Sequence, residues 1–216
     1  NLLLGPTAER VNTPENTETT AGGLKTVAEL AERSVPSVNT RAVITSFSGV
    51  RASEKSGDFI IKESDNVKGL IHAAAIDSPG LSSSAAIAEY IAELLEKSGL
   101  ELTENPDFNG TREDTHAFKK MSDEEKDEYI KQNPAYGRII CRCETVSEGE
   151  IIDALRRNPK ATDIDGVKRR TRAGMGRCQG GFCMPYVMRL IEKETGKPMT
   201  EITKKGGKSN TVTGRL

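Results

Sequence analysis

The chain has 216 residues, enough for one large domain or two ordinary ones. A hydrophobic content of 35%, an aromatic content of 4% and no Trp allow a buried core but predict long loops, and no apolar run approaches the length of a membrane span. The net charge of −1 hides an asymmetry, with 14 Lys+Arg against 23 Asp+Glu in residues 1–135 and 17 against 9 in residues 136–216.

The chain opens Asn-Leu-Leu-Leu, with no initiator Met and no targeting pattern, and reads as a piece of something longer. Leu2 to Leu4 before Gly5-Pro6 predicts a buried strand ending in a turn. A polar loop follows. The spacing of Leu24, Val27, Ala28, Leu30 and Ala31 predicts a helix over 21–34, capped by Thr20 and stopped by Pro36. Val43, Thr45 and Phe47 alternate with Ile44, Ser46 and Ser48, which suits a strand. Phe59 to Ile61 and Leu70 to Ile76 predict two more strands. His72 lies on the last of these and is a minor active-site candidate.

Asp77-Ser78-Pro79-Gly80-Leu81 then opens a helix that runs to about Lys97 and stops at Gly99, with Ile87, Tyr90, Ile91, Leu94 and Leu95 on its apolar face. A strand, a Pro-Gly turn and a helix start rich in small residues present free N–H groups and a partial positive charge, which suits an anion, a phosphate or a flavin edge. The same pattern also serves as a plain strand–turn–helix connection.

Residues 100–135 read as a polar linker with a short helix, opened by the capping box Ser122-Asp-Glu-Glu125 and ended by Pro134. His116 in this linker has no partner at metal-ligand spacing and reads as solvated. A second capping box, Ser147-x-x-Glu150, starts a helix that buries Ile151, Ile152 and Leu155. Thr162 is the expected cap of a short helix over 163–170. A last helix starts near Cys183 or Met184, buries Val187, Met188, Leu190 and Ile191, and closes at Gly196. Residues 201–216, with Gly206-Gly207, read as a flexible tail.

All four cysteines fall in one stretch, as Cys141-x-Cys143, then 34 residues, then Cys178-x4-Cys183. Four thiolates in two close pairs can close a tetrahedral shell around one metal or hold the two irons of a [2Fe–2S] cluster. The one-residue gap of the first pair leans away from zinc, whose sites more often use C-x2–4-C pairs. Gly174, Gly176, Gly180 and Gly181 surround the second pair, where the backbone must wrap closely and aim N–H groups at sulfur. Zinc in the same shell, and two disulfides, remain the alternative readings. Lys168, Arg169, Arg170, Arg172 and Arg177 stand ready to balance the charge of about −2 on such a cluster. Without interleaved aromatics for base stacking, this basic half does not read as a nucleic-acid surface.

Two resemblances follow from these residues. Ile140-Cys-Arg-Cys-Glu144, Val146 to Glu150, Arg170-Thr-Arg-Ala-Gly-Met-Gly-Arg-Cys178 and Gln179-Gly-Gly-Phe-Cys183 resemble the [2Fe–2S] domain of the bacterioferritin-associated ferredoxin type, over roughly residues 136–200. The resemblance implies Cys141, Cys143, Cys178 and Cys183 as cluster ligands. Asn1-Leu-Leu-Leu-Gly-Pro-Thr7, Ser48-Gly-Val-Arg-Ala52 and Ala73 to Leu81 resemble the C-terminal half of the flavin domain of D-amino-acid-oxidase-type dehydrogenases, over residues 1–99. It implies Arg51 as the residue that meets an anionic substrate, with a surface ion pair as the plain alternative, and Ser78, Pro79, Gly80 and Leu81 facing FAD.

There are two departures. Ala75 stands where the family pattern suggests Gly, and no G-x-G-x-x-G dinucleotide fingerprint occurs in the chain. The resemblances together imply an α+β chain, the sheet-containing remnant of a flavin/substrate domain followed by a small all-helical [2Fe–2S] domain. They imply a C-terminal fragment of an enzyme that oxidises glycerol 3-phosphate or a similar small hydroxy acid, inactive alone, whose cluster relays electrons to an acceptor protein or quinone. The N-terminal FAD-binding half of the same parent is the expected partner. The expected location is cytoplasmic or peripheral at the membrane. The rival reading is a non-catalytic metal-binding interaction module. A regulator of iron storage is a third, which nothing in residues 1–100 favours.

Overall fold

The computed structural model describes residues 2–111 and 118–214. It mixes helices with two small two-stranded sheets, an α+β chain. The chain divides into two compact units. One holds Leu4–Val38 and Ser46–Arg112; the other holds Asn1–Leu3, Asn39–Thr45 and Glu113–Leu216. His116 and the charged run Arg112-Glu113-Asp114 lie outside the described residues.

In the first unit, α1 spans Ala21–Ser34, with Thr20 Oγ1 accepting from Gly23 N at 3.0 Å as its cap. Strands β1 (Ile60–Glu63) and β2 (Ile71–Ala74) pair antiparallel, Ile60 opposite Ala74 and Lys62 opposite His72. Helix α2 spans Gly80–Lys97 and packs against both strands. Its Ile87, Ile91, Leu94 and Leu95 are half-buried.

Two expected strands do not form. Leu2 and Leu3 are 76% and 77% exposed. The segment from Val43 to Ser48 follows a single turn of 3-10 helix, Thr40–Ala42, and pairs with no strand; Ser48 Oγ instead donates to the carbonyls of Thr17 and Glu18. Alternation marks which face a strand would bury, but a strand also needs a neighbour to pair with. No residue of the described 2–111 is fully buried. The apolar stripe expected on α1 is open too, with Leu24 43% and Leu30 47% exposed.

The second unit holds the core. Helix α3 (Asp123–Gln132) lies against the Pro134–Gly137 turn, while α4 (Glu148–Arg156), α5 (Ile164–Thr171) and α6 (Met184–Thr195) pack around Ile151, Val167 and Ile191, all fully buried. Both expected capping boxes are present, at Ser122/Glu125 and Ser147/Glu150. Glu150 does more than close its box: Oε1 also accepts from Phe118 N at 3.2 Å, tying the linker to the start of α4. Asp163 rather than Thr162 caps α5, because its carboxylate reaches Gly166 N at 2.6 Å. Gly196 closes α6 in the left-handed region, φ 73°.

This unit is not all-helical. β3 (Ile139–Cys141) pairs with β4 (Val146–Ser147) in a tight hairpin, Cys141 ending the first strand and Cys143 standing on the turn. The segment expected as a flexible tail is also more ordered than its composition suggests. Ile202 is 1% exposed, and Thr203 and Lys204 offer their carbonyls to the first N–H groups of α5, at 3.2 and 2.8 Å. Among the described residues no helix is long and apolar enough to cross a membrane.

Candidate metal centre

β3 delivers Cys141 into the core at 1% exposure, and the turn after it carries Cys143 to the surface. Thr145 closes that turn at φ 55°, a left-handed conformation rare for a side chain that is branched at Cβ. The second pair is built by the loop between α5 and α6. Arg172 ends α5 at φ 68°, Gly174 follows at φ 89°, and Gln179 stands at φ 48°. Gln179 donates to the carbonyls of Met175 and Gly176 and fixes the loop just before its glycines. Cys183 is the buried N-cap residue of α6. Of the four non-glycine residues with positive φ among those described, Thr145, Arg172 and Gln179 belong to this site. Strain of this kind persists where surrounding structure fixes it and marks functional turns.

The two pairs converge. Cys143 Sγ lies 3.6 Å from Cys178 Sγ, and Cys141 stands close enough to Cys183 to act on its thiol. Gly176 is what lets the loops close, since a Cβ there would stand 2.2 Å from Cys143 Cβ. The sulfurs differ in character. The N–H of Phe182 is the main group that pulls the Cys178 thiol below its ordinary range, with the Cys143 side chain and the N–H groups of Gly180 and Gly181 adding to it. Burial pushes the Cys183 thiol up to about 12, and the neighbouring Cys141 sulfur adds to the rise.

These residues fit a two-iron cluster. Among the described residues no three His, Cys, Asp or Glu gather as ligands of one ion. Cys143 meets Cys178 across the two loops and Cys141 lies near Cys183, so the four thiols would together offer the ligand set of a [2Fe–2S] cluster. The backbone N–H groups aimed at Cys178 would stabilise a thiolate there. All four cysteines are free thiols.

One ion pair at the site escaped sequence reasoning. Glu144, directly after Cys143, is 9% exposed and accepts from Arg172 Nε at 2.8 Å. Arg172 counted there only as one charge in a basic run, because a contact across 28 residues leaves no local signal.

On the flavin side, Ser78–Leu81 opens α2 as expected. No side chain caps this helix start, since Ser82 and Ser83 turn their hydroxyls back to the Pro79 carbonyl. Leu81 is 92% exposed, and Gly80 packs so closely on Ile76 that a Cβ would meet its Cγ2 at 2.7 Å. Ala75 takes φ 53°, a left-handed conformation that favours glycine. Arg51 is exposed, and no hydrogen bond or ion pair among the described residues joins it to the Ser78–Leu81 turn.

Comparison with known proteins separates the same two regions. Residues 139–193 match the BFD-like [2Fe-2S] binding domain, and residues 1–94 match the FAD dependent oxidoreductase family. The chain carries FAD dependent oxidoreductase sequence followed by a BFD-like [2Fe-2S] binding domain.

A glycerol 3-phosphate dehydrogenase of Caloramator mitchellensis is 44% identical over 214 residues, which is 99% of this chain and 45% of that protein. The anaerobic glycerol-3-phosphate dehydrogenase subunit A1 of Haloferax volcanii is 29% identical over 84% of this chain and 36% of its own length. The hydrogen cyanide synthase subunit HcnB of Pseudomonas aeruginosa is 48% identical over 59 residues, 27% of this chain and 12% of that protein. The chain thus spans less than half the length of these relatives. No solved structure matches.

Proposed function

We propose that this chain is the electron-relaying part of an FAD-dependent dehydrogenase that oxidises glycerol 3-phosphate. Cys141, Cys143, Cys178 and Cys183 are its [2Fe–2S] ligands. The observation that carries the reading is the convergence of two distant thiol pairs in a glycine-lined cradle, with N–H groups turned to Cys178. Similarity to a glycerol 3-phosphate dehydrogenase along 99% of the chain supports the substrate.

When bound, FAD takes two electrons from a substrate and a [2Fe–2S] cluster passes them on one at a time. The chain's own residues hold and shield. Cys141 and Cys183 lie in the apolar floor, closed to water, while Cys143 is exposed and marks the side from which an electron leaves to an acceptor protein or quinone. Arg51 is the candidate to bind the substrate's anionic group, because its planar fork suits phosphate or carboxylate. The Ser78–Leu81 helix start offers uncapped N–H groups to a flavin edge that becomes anionic on reduction.

The FAD-binding half of the protein is the partner this reading requires. Its support is the missing dinucleotide fingerprint and the lack of any fully buried residue in the described 2–111.

The test is anaerobic reconstitution with iron and sulfide. The reading expects about two irons and two sulfides per chain, with visible absorption that bleaches on reduction. One tightly held zinc and no colour after the same treatment would refute it. The substrate is tested by joining the chain to a flavin-binding half and measuring electron transfer from glycerol 3-phosphate, which Arg51→Ala should depress.

A further inference from the structure

We propose that the Glu144–Arg172 ion pair is the clasp that keeps the two cysteine-bearing turns at cluster-holding distance, with both side chains acting as positioning residues. The inference rests on the reading of the four cysteines as [2Fe–2S] ligands.

Three observations carry it. First, the pair joins the two ligand loops directly. Glu144 is the residue after Cys143, and Arg172 ends α5 where the loop to Cys178 begins. Nothing closer to the sulfurs crosses between the loops by an ion pair among the described residues.

Second, the carboxylate is 9% exposed and Arg172 is the cation that pairs with it. Removing Arg172 would leave that largely buried carboxylate without its hydrogen-bond partner, so the turn after Cys143 is tied to where Arg172 sits.

Third, Arg172 occupies a backbone position that glycine fills most easily. Its φ is 68°, its N–H donates to Lys168 O at 2.9 Å, and its carbonyl accepts from Met175 N at 2.9 Å. That is how a helix closes with a left-handed residue, usually Gly. A helix terminator alone would have no need of a guanidinium. The backbone strain is explained if the side chain has work to do.

The clasp complements Gly176. Glycine removes the steric barrier between Cys143 and the second loop, and the ion pair supplies the attraction across the gap. Groups that orient metal ligands from behind typically change metal retention by roughly 10–100-fold when removed.

The test uses the full chain, reconstituted anaerobically, with Arg172→Gly, Arg172→Lys and Glu144→Gln. Two quantities are read for each: the melting temperature of the reduced, metal-free protein, and the rate at which a chelator strips iron from the loaded one. Arg172→Gly relieves the backbone but leaves the Glu144 carboxylate without its partner, two opposing effects, so its metal-free form should melt close to the parent. It should nonetheless lose iron roughly 10–100-fold faster, as should Glu144→Gln, while Arg172→Lys keeps the charge and stays within a few-fold of the parent.

The proposal is overturned if Arg172→Gly and Glu144→Gln hold iron as long as the parent. It is equally overturned if they lose iron only in step with a lower metal-free melting temperature, because the side chains would then serve the fold alone. A parent chain that takes up no iron would instead remove the ligand assignment on which the clasp depends.

Discussion

Gly176 and Cys143 are packed so closely that a Cβ on the glycine would stand 2.2 Å from the cysteine Cβ and 3.4 Å from its sulfur. The glycine is buried and its φ is not in the left-handed range, so space rather than backbone conformation forbids a side chain. Gly176→Ala should push Cys143 away from Cys178 and cut bound iron well below one per chain after reconstitution. Helical circular dichroism should be unchanged, since Gly176 lies between helices. Iron analysis beside a far-ultraviolet spectrum checks both halves, and a fully loaded Gly176→Ala protein would contradict the packing.

A second glycine tests the fold rather than the site. A Cβ on Gly149 would lie 2.3 Å from Cδ2 of Tyr136, a ring 3% exposed that meets Tyr129 edge-on at 5.2 Å. Gly149→Ala should cost about 1–3 kcal/mol through overpacking. Tyr136→Phe loses the hydrogen bond from the phenol to the Asp153 carboxylate, worth about 1.5–3 kcal/mol for a charged acceptor. Urea midpoints should fall for both variants, and a Gly149→Ala midpoint equal to the parent's would contradict the packing.

The α4–α6 contact predicts a small pH effect. The hydrogen bond from Arg156 holds the Glu194 carboxyl below its ordinary value of 4.5. A depressed carboxyl stabilises the folded state above its unfolded pKa and loses that contribution as pH falls through the folded value. Arg156 is 67% exposed, so the contribution is modest. Glu194→Gln should lower the melting temperature slightly at pH 7 and flatten its decline between about pH 5 and pH 3. Equal slopes for both proteins would remove this ion pair from the account.

Core distribution predicts the order of proteolysis. Local opening costs least where few apolar contacts are buried. In the full chain, dilute trypsin should cut first in the coil of the first unit, as at Arg10, Arg51 or Lys55. The peptide bonds between β3 and the end of α6 should persist. Mass spectrometry of early fragments reads this, and a first cut between Cys141 and Met188 would overturn it.

What the amino acids disclose unaided depends on how local the cause is. Thr20, Ser122, Ser147 and Gly196 each act within four residues, and their helices begin or end where those residue types predict. The cysteine spacing with its glycines is a similar local record, and the two pairs do meet. The 43–48 alternation misled because a strand's existence rests on a distant neighbour. Glu144 meeting Arg172, Gly176 meeting Cys143, and Ile202 entering the core are all contacts across long stretches of chain. Each residue type there has several ordinary uses, and only folding selects among them.

Thr203 and Lys204 carry an obligation out of proportion to their place near the end of the sequence. Their carbonyls receive the opening N–H groups of α5, and the Lys204 ammonium grips Asp165 at 2.9 Å. α5 in turn ends on Arg172. A stop codon after Thr200 would discard residues that look like dispensable trimmings. It would also unseat the near end of the helix whose far end, at Arg172, meets the turn after Cys143, so a shortened gene made for convenience should yield pale, metal-poor protein.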